Sequence, residues 1–398
     1  MEKIGVFGGT FNPPHRGHLL AAKEVREALN LERILFIPDA QPPHKALPEG
    51  SPDGASRLEL VRAATKDLSF AEVSDMELGR TGKSYTSDTL KILKAKYPQD
   101  TLYLITGTDM FLTLHNWHEP EEICKNAVIV GMRRAEDDRQ DEFLIQKENL
   151  QKRFHARVEI VDNHFVEISS TKVRRLFILG GAEKYVPEEE LELIRTRGYY
   201  GTGQDYRNLS DEELRKVAIS LLKPQRVKHV LGCAETAVKL AQRYGADETV
   251  ALRAGLLHDV TKAIDGEDQL LLVDKYGILI SDFERKNPKL LHAKTGAAVA
   301  KYVFGEREEV VHAIYWHTTG KPNMSLMEKI IYLADYIEPT RNFPGVEDLR
   351  TLAFQDLDRG LLLGFDLCID ELVREKKSLC SDSLDARDYL RCQLTAKT

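Results

Sequence analysis

Two rhythms of hydrophobic and polar positions divide the chain. Through the first half, short β-branched or aromatic runs recur: KIGVF (3–7), RILFIP (33–38), TLYLITG (101–107), AVIVGM (127–132) and VEIV (158–161). Between them lie segments with apolar residues three and four apart, such as RGHLLAAKEVREALN (16–30) and SRLELVRAATKDL (56–68). Strands alternating with amphipathic helices predict βα units and a Rossmann-like parallel sheet. Beyond the polar stretch RTRGYYGTGQDYRNLS (195–210) the strand pattern stops. DEELRKVAISLL, KHVLGCAETAVKLAQRYG, ETVALRAGLLHDV, AKTGAAVAKYVFG and SLMEKIIYLADYI all carry helical spacing instead. The expectation is an N-terminal α/β domain over 1–203, a C-terminal all-α helix bundle over 208–385 and a polar tail over 386–398.

Composition narrows the class. A chain of 398 residues favours two or three domains, and 42% hydrophobic with 30% charged residues describes a soluble globular protein. No run of twenty apolar residues is present, so no membrane partner is expected. A net charge of −7 argues against coating nucleic acid, which needs a basic surface to neutralise many phosphates. The five cysteines are scattered without a Cys-x-x-Cys pair, which fits a reducing cytoplasm. The opening MEKIGVFGG has neither the basic region nor the apolar stretch of a secretion signal, so a cytoplasmic location is expected.

Candidate chemistry begins at GGTFNPPHRGH (8–18), directly after the first strand pattern. Gly8 and Gly9 let the backbone turn tightly and approach a ligand; Pro13 and Pro14 stiffen the next few residues, and a helix is expected near Arg16. A helix start at the carboxyl end of a parallel strand is a natural anion site, and His15 and His18 can share a face of the first turn. In ISSTKVR (168–174), Ser169, Ser170 and Thr171 are good N-cap residues, and Arg174 lies three after Thr171 on the same face.

GGTFNPPHRGH resembles the G-x-F-x-P-x-H-x-G-H signature of the nucleotidyltransferase superfamily. Four further segments, IPDAQPPHK (37–45), GRTGKSYTSDTL (79–90), LITGTDMFLTLHNW (104–117) and ISSTKVR, are similar to the bacterial nicotinate-nucleotide adenylyltransferases over residues 1–200. The resemblance implies transfer of an adenylyl group from ATP to nicotinate mononucleotide, giving deamido-NAD and pyrophosphate. It implies ATP contacts from Gly8, Gly9, Thr10, Phe11, His15, His18, Ile168, Ser169, Ser170, Thr171 and Arg174. Asn12, Lys45, Thr86, Asp109, Trp117 and Arg134 would hold the mononucleotide, with Trp117 stacked on the pyridine ring and the backbone near Thr86 receiving the carboxylate. Catalysis would come from His15, His18, Lys45, Arg174 and the Mg2+ carried by ATP, the histidines neutralising the oxyanions. A phosphate monoester with a second pKa of about 6 is already an ionised nucleophile, so no general base is needed. Two positions depart from the family pattern: Asn12, where many members have Asp, and His118, where an aromatic is frequent. Nicotinamide mononucleotide is the rival substrate. A class I aminoacyl-tRNA synthetase relative is disfavoured, because no KMSKS loop is recognisable.

The helical half carries a second constellation. His258 and Asp259 in LLHDVTK sit inside an apolar helical pattern, with His229, His292, His317 and Asp335 on separate helical segments. Burying six such groups separately is costly, and mutual coordination from facing helices removes the cost. Six ligands exceed the need of one ion, which predicts two metals bridged by Asp259; His312 is assigned a structural role. Nitrogen-rich ligation suits transition metals, with Fe or Mn expected. The pattern resembles the HD-domain metallophosphohydrolases. HVLGCAETA (229–237), HDVTK (258–262), HTTGKPNMSLMEKIIYLADYIEP (317–339) and FPGVEDLR (343–350) are closer still to HD-type symmetrical diadenosine tetraphosphatases. That resemblance implies cleavage of diadenosine tetraphosphate to two ADP, with water acidified by the ions and Asp259 and Lys262 in catalytic roles. Another nucleotide phosphohydrolase or a non-catalytic nucleotide sensor is the alternative for this half. The partners expected are small nucleotides, with a homo-oligomer left open.

Overall fold

The computed structural model describes residues 1–42, 46–80, 82–134, 140–163 and 168–396, without the side chains of Arg134 and Asn163. Two compact units result: Met1–Ile178 with Ala182–Gln204, and Asp205 onward with Leu179–Gly181.

In the first unit, strands β1 (Lys3–Gly9), β2 (Arg33–Pro38), β3 (Ala71–Val73), β4 (Thr101–Thr106), β5 (Ala127–Arg134) and β6 (Val158–Asn163) form one sheet in the order β3-β2-β1-β4-β5-β6. Every pairing is parallel; Val6 lies opposite Leu104 on one side and opposite Leu35 on the other. Alternate strand residues feed two cores. Ile4, Val6, Leu35, Leu102, Leu104 and Ile129 face one, and Phe7, Ile34, Phe36, Ile105 and Val130 the other. Among the described residues eight α-helices connect or flank the strands: α1 (Arg16–Leu29), α2 (Gly54–Thr65), α3 (Thr86–Lys96), α4 (Thr108–Thr113), α5 (Pro120–Asn126), α6 (Gln140–Phe154), α7 (Ser170–Leu179) and α8 (Glu188–Arg197). The strand order reverses direction between β1 and β4, which opens a crevice beyond their carboxyl ends.

Glu190 on α8 is fully inaccessible, and neither carboxylate oxygen has a hydrogen-bond partner among the described residues. Burial raises its pKa well above 4.5, with Arg16 opposing. The folded state therefore holds this proton more tightly than the unfolded chain. Its penalty is absent below about pH 4.5 and grows as pH rises toward the folded pKa. Glu190→Gln removes the ionisation penalty, so its effect on stability is expected to be more favourable at pH 8 than at pH 4, by about 1.4 kcal/mol for each pH unit over which that penalty accrues. Urea midpoints at the two pH values check this, and an equal shift at both would refute it.

The second unit is helical: α9 (Asp211–Leu221), α10 (Pro224–Tyr244), α11 (Glu248–Leu257), α12 (Gly266–Tyr276), α13 (Asp282–Lys286), α14 (Leu291–Tyr302), α15 (Glu308–Trp316), α16 (Leu326–Ile337), α17 (Val346–Gln355), α18 (Leu357–Arg374) and α19 (Ser381–Thr395). The 21-residue α10 starts on Pro224, ends on left-handed Gly245 and packs against both α11 and α16. Two expectations are corrected here. The stretch 386–398 is not a loose polar tail, because through Thr395 it belongs to α19, which buries Ala386 and Leu390 four residues apart. His258 and Asp259 are not inside a helix: α11 ends at Leu257, and successive tight turns come next, with amides of Val260, Lys262 and Ile264 bonded three residues back. None of the described helices is long and apolar enough to cross a membrane.

Candidate active sites

The crevice of the first unit holds a cavity of about 470 Å³. Its walls include Gly8, Gly9, Thr10, Phe11, His15, His18, Thr86, Trp117, Ile168 and Ser170. His15 caps the start of α1 and is buried, while His18 lies one turn on. Their rings stack with centroids 3.7 Å apart, and the His15 main-chain N–H donates to His18 Nδ1 at 3.2 Å. An accepting Nδ1 places the His18 ring proton on Nε2. Burial, with His18 adding to it, holds His15 well below its usual 6.5, and His15 Nδ1 has no hydrogen-bond partner among the described residues. With the protein's own groups alone around it, the His15 ring is held toward its neutral form, which can still act by N–H donation.

The start of α7 is docked on the turn after β1. Ser170 Oγ donates to the Pro13 carbonyl at 2.8 Å, and Arg174 donates to the Asn12 carbonyl at 2.5 Å and to Thr171 Oγ1 at 3.0 Å. Ser169 accepts from the Lys172 amide at 3.2 Å. Ser169, Thr171 and Arg174 border the cavity through these bonds without lining it. On the opposite wall, Thr86 is the first residue of α3, and Trp117 packs on the core with an edge in the cavity. His118 stacks on Tyr85 at 4.2 Å, filling the place of the aromatic the family pattern favours. Two residues expected at the nucleotide are not among those lining the cavity: Asp109 is exposed on α4, and the buried Asn12, next to the lining Phe11, turns its amide to Ser51 Oγ at 2.8 Å. Lys45 and the side chain of Arg134 lie outside the described residues.

Arg57, which the sequence did not single out, braces the loops beside the cavity. Completely buried, it donates to the carbonyls of Thr10 at 2.6 Å and Asp39 at 2.7 Å and to the Asp39 carboxylate at 3.1 Å, while Thr10 Oγ1 donates to Asp39 at 2.9 Å. This clamp ties the loop after β1 to the loop after β2. Its helix, α2, reads as ordinary amphipathic sequence, so only the unlike burial of Asp39 and Arg57 betrays it.

In the second unit the six predicted ligands converge. His229 Nε2 lies 3.3 Å from His258 Nε2 and 3.1 Å from Asp335 Oδ1; His292 Nε2 lies 3.2 Å from His317 Nε2. Asp259 stands between the two pairs. Its Oδ2 is 3.7 Å from both His229 and His258, and its Oδ1 is 3.3 Å from His292 and 3.9 Å from His317. Each ring offers the same nitrogen because the other is committed. Nδ1 donates to the carbonyl of Gly255 from His258 at 2.7 Å, of Lys289 from His292 at 2.6 Å and of Ile314 from His317 at 2.7 Å. In His229 it meets Glu338 Oε1 at 3.0 Å. Burial holds His258 and His292 well below 6.5 and His317 at about 4, so these rings are neutral and their Nε2 atoms carry lone pairs. Burial raises the Glu338 carboxyl, but hydrogen bonds from Thr340 and His229 outweigh this and keep it below the usual range.

Among the described residues two groups, His229–His258–Asp335 and His258–Asp259–His317, bring their ligand atoms close enough together to hold a metal ion. Arg226 at Asp259, Arg341 at Asp335 (2.5 Å) and Lys262 at His292 Nε2 (2.9 Å) add positive charge around the centre. Arg226, Arg341 and Glu338 were not among the residues expected from the sequence. His312 lies apart from the centre, 3.6 Å from Glu308 on its own helix.

A nucleotidyltransferase-type α/β unit and a helical region carrying an HD domain are therefore the two classes this chain combines: the cytidylyltransferase-like family matches residues 6–176 and the HD domain residues 226–340. The chain is 39% identical over 201 residues to a probable nicotinate-nucleotide adenylyltransferase of Exiguobacterium sibiricum, covering 50% of this chain and 100% of that protein. It is 38% identical over 200 residues to another from Desulfitobacterium hafniense, covering 50% and 96%. The chain belongs, through its first half, to the nicotinate-nucleotide adenylyltransferase family. A crystal structure of a predicted HD superfamily hydrolase involved in NAD metabolism from Clostridium acetobutylicum is 41% identical, with 46% of this chain and 98% of that chain covered and a TM-score of 0.45.

Proposed function

We propose that the chain is a bifunctional enzyme. Its first unit transfers adenylyl from ATP to nicotinate mononucleotide, and its second hydrolyses diadenosine tetraphosphate symmetrically to two ADP. For the first unit, the supporting observation is a cavity at the β1–β4 switch point whose walls combine the Gly8–Gly9 turn, two stacked imidazoles and the start of α7. ATP enters as its magnesium complex. Its phosphates lie against the Gly8–Gly9 backbone, the N–H donors of His15 and His18 and the start of α7, with Arg174 at its border and Lys45 assigned to the triphosphate. The nicotinate ring stacks on Trp117, and its carboxylate takes the free amides that open α3 at Thr86. Asn12, Asp109 and Arg134 are assigned to the same nucleotide, on its ribose and phosphate side. The mononucleotide phosphate attacks the α-phosphorus in line, and pyrophosphate leaves. Positioning and charge stabilisation supply the rate, without a general base.

For the second unit, the observation that carries the reading is the two facing pairs of Nε2 atoms with Asp259 between them. Bound there, two divalent transition metals such as Fe or Mn would supply Lewis acidity at the phosphoryl oxygens and acidify water for attack. His229, His258, Asp335 and Asp259 Oδ2 would hold one ion, and His292, His317 and Asp259 Oδ1 the other. Lys262, with its ammonium beside this centre, steadies charge on the phosphoryl group. Arg226 and Arg341 supply the positive field that a polyphosphate chain needs.

Chromatography of products tests both halves. With ATP and nicotinate mononucleotide, deamido-NAD and pyrophosphate are expected, with slower turnover on nicotinamide mononucleotide. With diadenosine tetraphosphate and added Mn2+ under reducing conditions, ADP is expected as the sole product. ATP plus AMP, or turnover of a different nucleotide alone, would reject the symmetrical tetraphosphatase while leaving the metal centre standing.

A further inference from the structure

Resting on the metal-centre reading, we infer that Glu338 is a positioning residue that makes His229 the strongest nitrogen donor of the set, so that the two ion positions differ in affinity. The histidines differ first in where they sit. His258, His292 and His317 lie at helix ends or in turns, where the carbonyl three residues back is within reach of Nδ1: Gly255, Lys289 and Ile314. His229 is the sixth residue of α10, inside a continuous helix whose own carbonyls are committed to the helical ladder. Its Nδ1 needs an acceptor from elsewhere, and Glu338, 109 residues on, provides it at 3.0 Å.

The end of α16 grips this imidazole from both sides. Asp335 meets Nε2 at 3.1 Å and Glu338 meets Nδ1 at 3.0 Å. Glu338 is itself completely buried and fixed by Thr340, whose amide donates to Oε2 at 2.7 Å and whose hydroxyl donates to Oε1 at 2.5 Å. The approach of the two helices depends on Gly232, where a Cβ would come within 2.8 Å of Glu338 Oε2. A carboxylate acceptor draws the Nδ1 proton and pushes electron density to Nε2 more than a carbonyl does. Only the position formed by His229, His258, Asp335 and Asp259 Oδ2 gains from this. The position formed by His292, His317 and Asp259 Oδ1 has carbonyl-oriented rings alone.

Titration of the metal-free full chain with Co2+, followed by visible absorption, tests the inference without reference to turnover. Two binding steps of unequal affinity are expected. Glu338→Gln should weaken the tighter step about 10–100-fold, the usual effect of an outer partner, and leave the weaker within about twofold. Should Glu338→Gln fail to fold, Gly232→Ala serves instead: it suits a helix interior and displaces the carboxylate without removing its charge, and the same step should weaken. The His229 ring 15N signals of the metal-free protein should shift in both variants, because both disturb the Nδ1 contact with Glu338. Unchanged Co2+ binding, or equal weakening of both steps, overturns the inference. A wild-type chain that takes up no Co2+ overturns the metal-centre reading and this inference with it.

Discussion

Asp259→Ala is expected to abolish polyphosphate hydrolysis while leaving adenylyl transfer by the same chain unaffected. Asp259 is 1% exposed, and its two oxygens face different histidine pairs, so on the proposed two-ion reading its removal would take a ligand from both positions at once. The loss should exceed the roughly 10–100-fold typical of an outer-partner substitution and reach about 10³-fold or more. Elemental analysis should fall from two ions per chain to one or none. Asp259→Asn separates charge from shape: a neutral amide can still accept, but it cannot compensate two dications. Unaltered adenylyl transfer acts as the internal measure that the chain is folded. Two ions retained per chain with undiminished hydrolysis would defeat the bridging role.

His18→Ala is expected to lower kcat for adenylyl transfer about 10²–10³-fold, the range for removing one preorganised donor at a phosphoryl or acyl centre. The structure adds a condition on pH. Burial and the stacked His18 hold His15 well below 6.5, which favours its neutral form. A mechanism resting on a charged His15 predicts activity falling as pH rises through 6.5. Donation from neutral rings predicts no such fall between about pH 7 and 8.5, once the mononucleotide phosphate, with its second pKa of about 6, is ionised. A kcat profile from about pH 5.5 to 8.5 decides between them, and a declining limb above 6.5 would restore the cationic histidine.

The strands of the sheet were legible because buried parallel strands concentrate β-branched residues: RILFIP and AVIVGM need no context to be recognised. β3 was not, since Ala71–Val73 is three residues at the sheet edge, too short to show any period. The convergence of histidines and aspartates was legible from cost: Asp335 in an apolar helical run demands a partner, and the histidines offer one. What stayed hidden are the residues whose meaning depends on pairing across the chain. Arg57 reads as the polar face of α2, Glu338 as the end of α16, and Arg226 as one more basic residue before a helix. Their burial comes from how helices and loops meet, which no local period encodes. The misplacement of His258 within α11 has a similar origin: HDVTK is compatible with helical spacing, and only the tight turns after Leu257 end the helix.

Orientation by main-chain carbonyls has a bearing on how such a centre drifts over generations. A carbonyl oxygen survives any change of side chain at its residue, so substitutions at Lys289 or Ile314 leave the ring orientation of His292 and His317 to be inherited through the backbone. Gly255 is different, because a side chain there would meet the α10 backbone at Ala234, 2.6 Å away. Selection on ring orientation is thus concentrated on few positions, chiefly Gly255 and Glu338. The surrounding sequence can change widely before the convergence of the four rings is at risk.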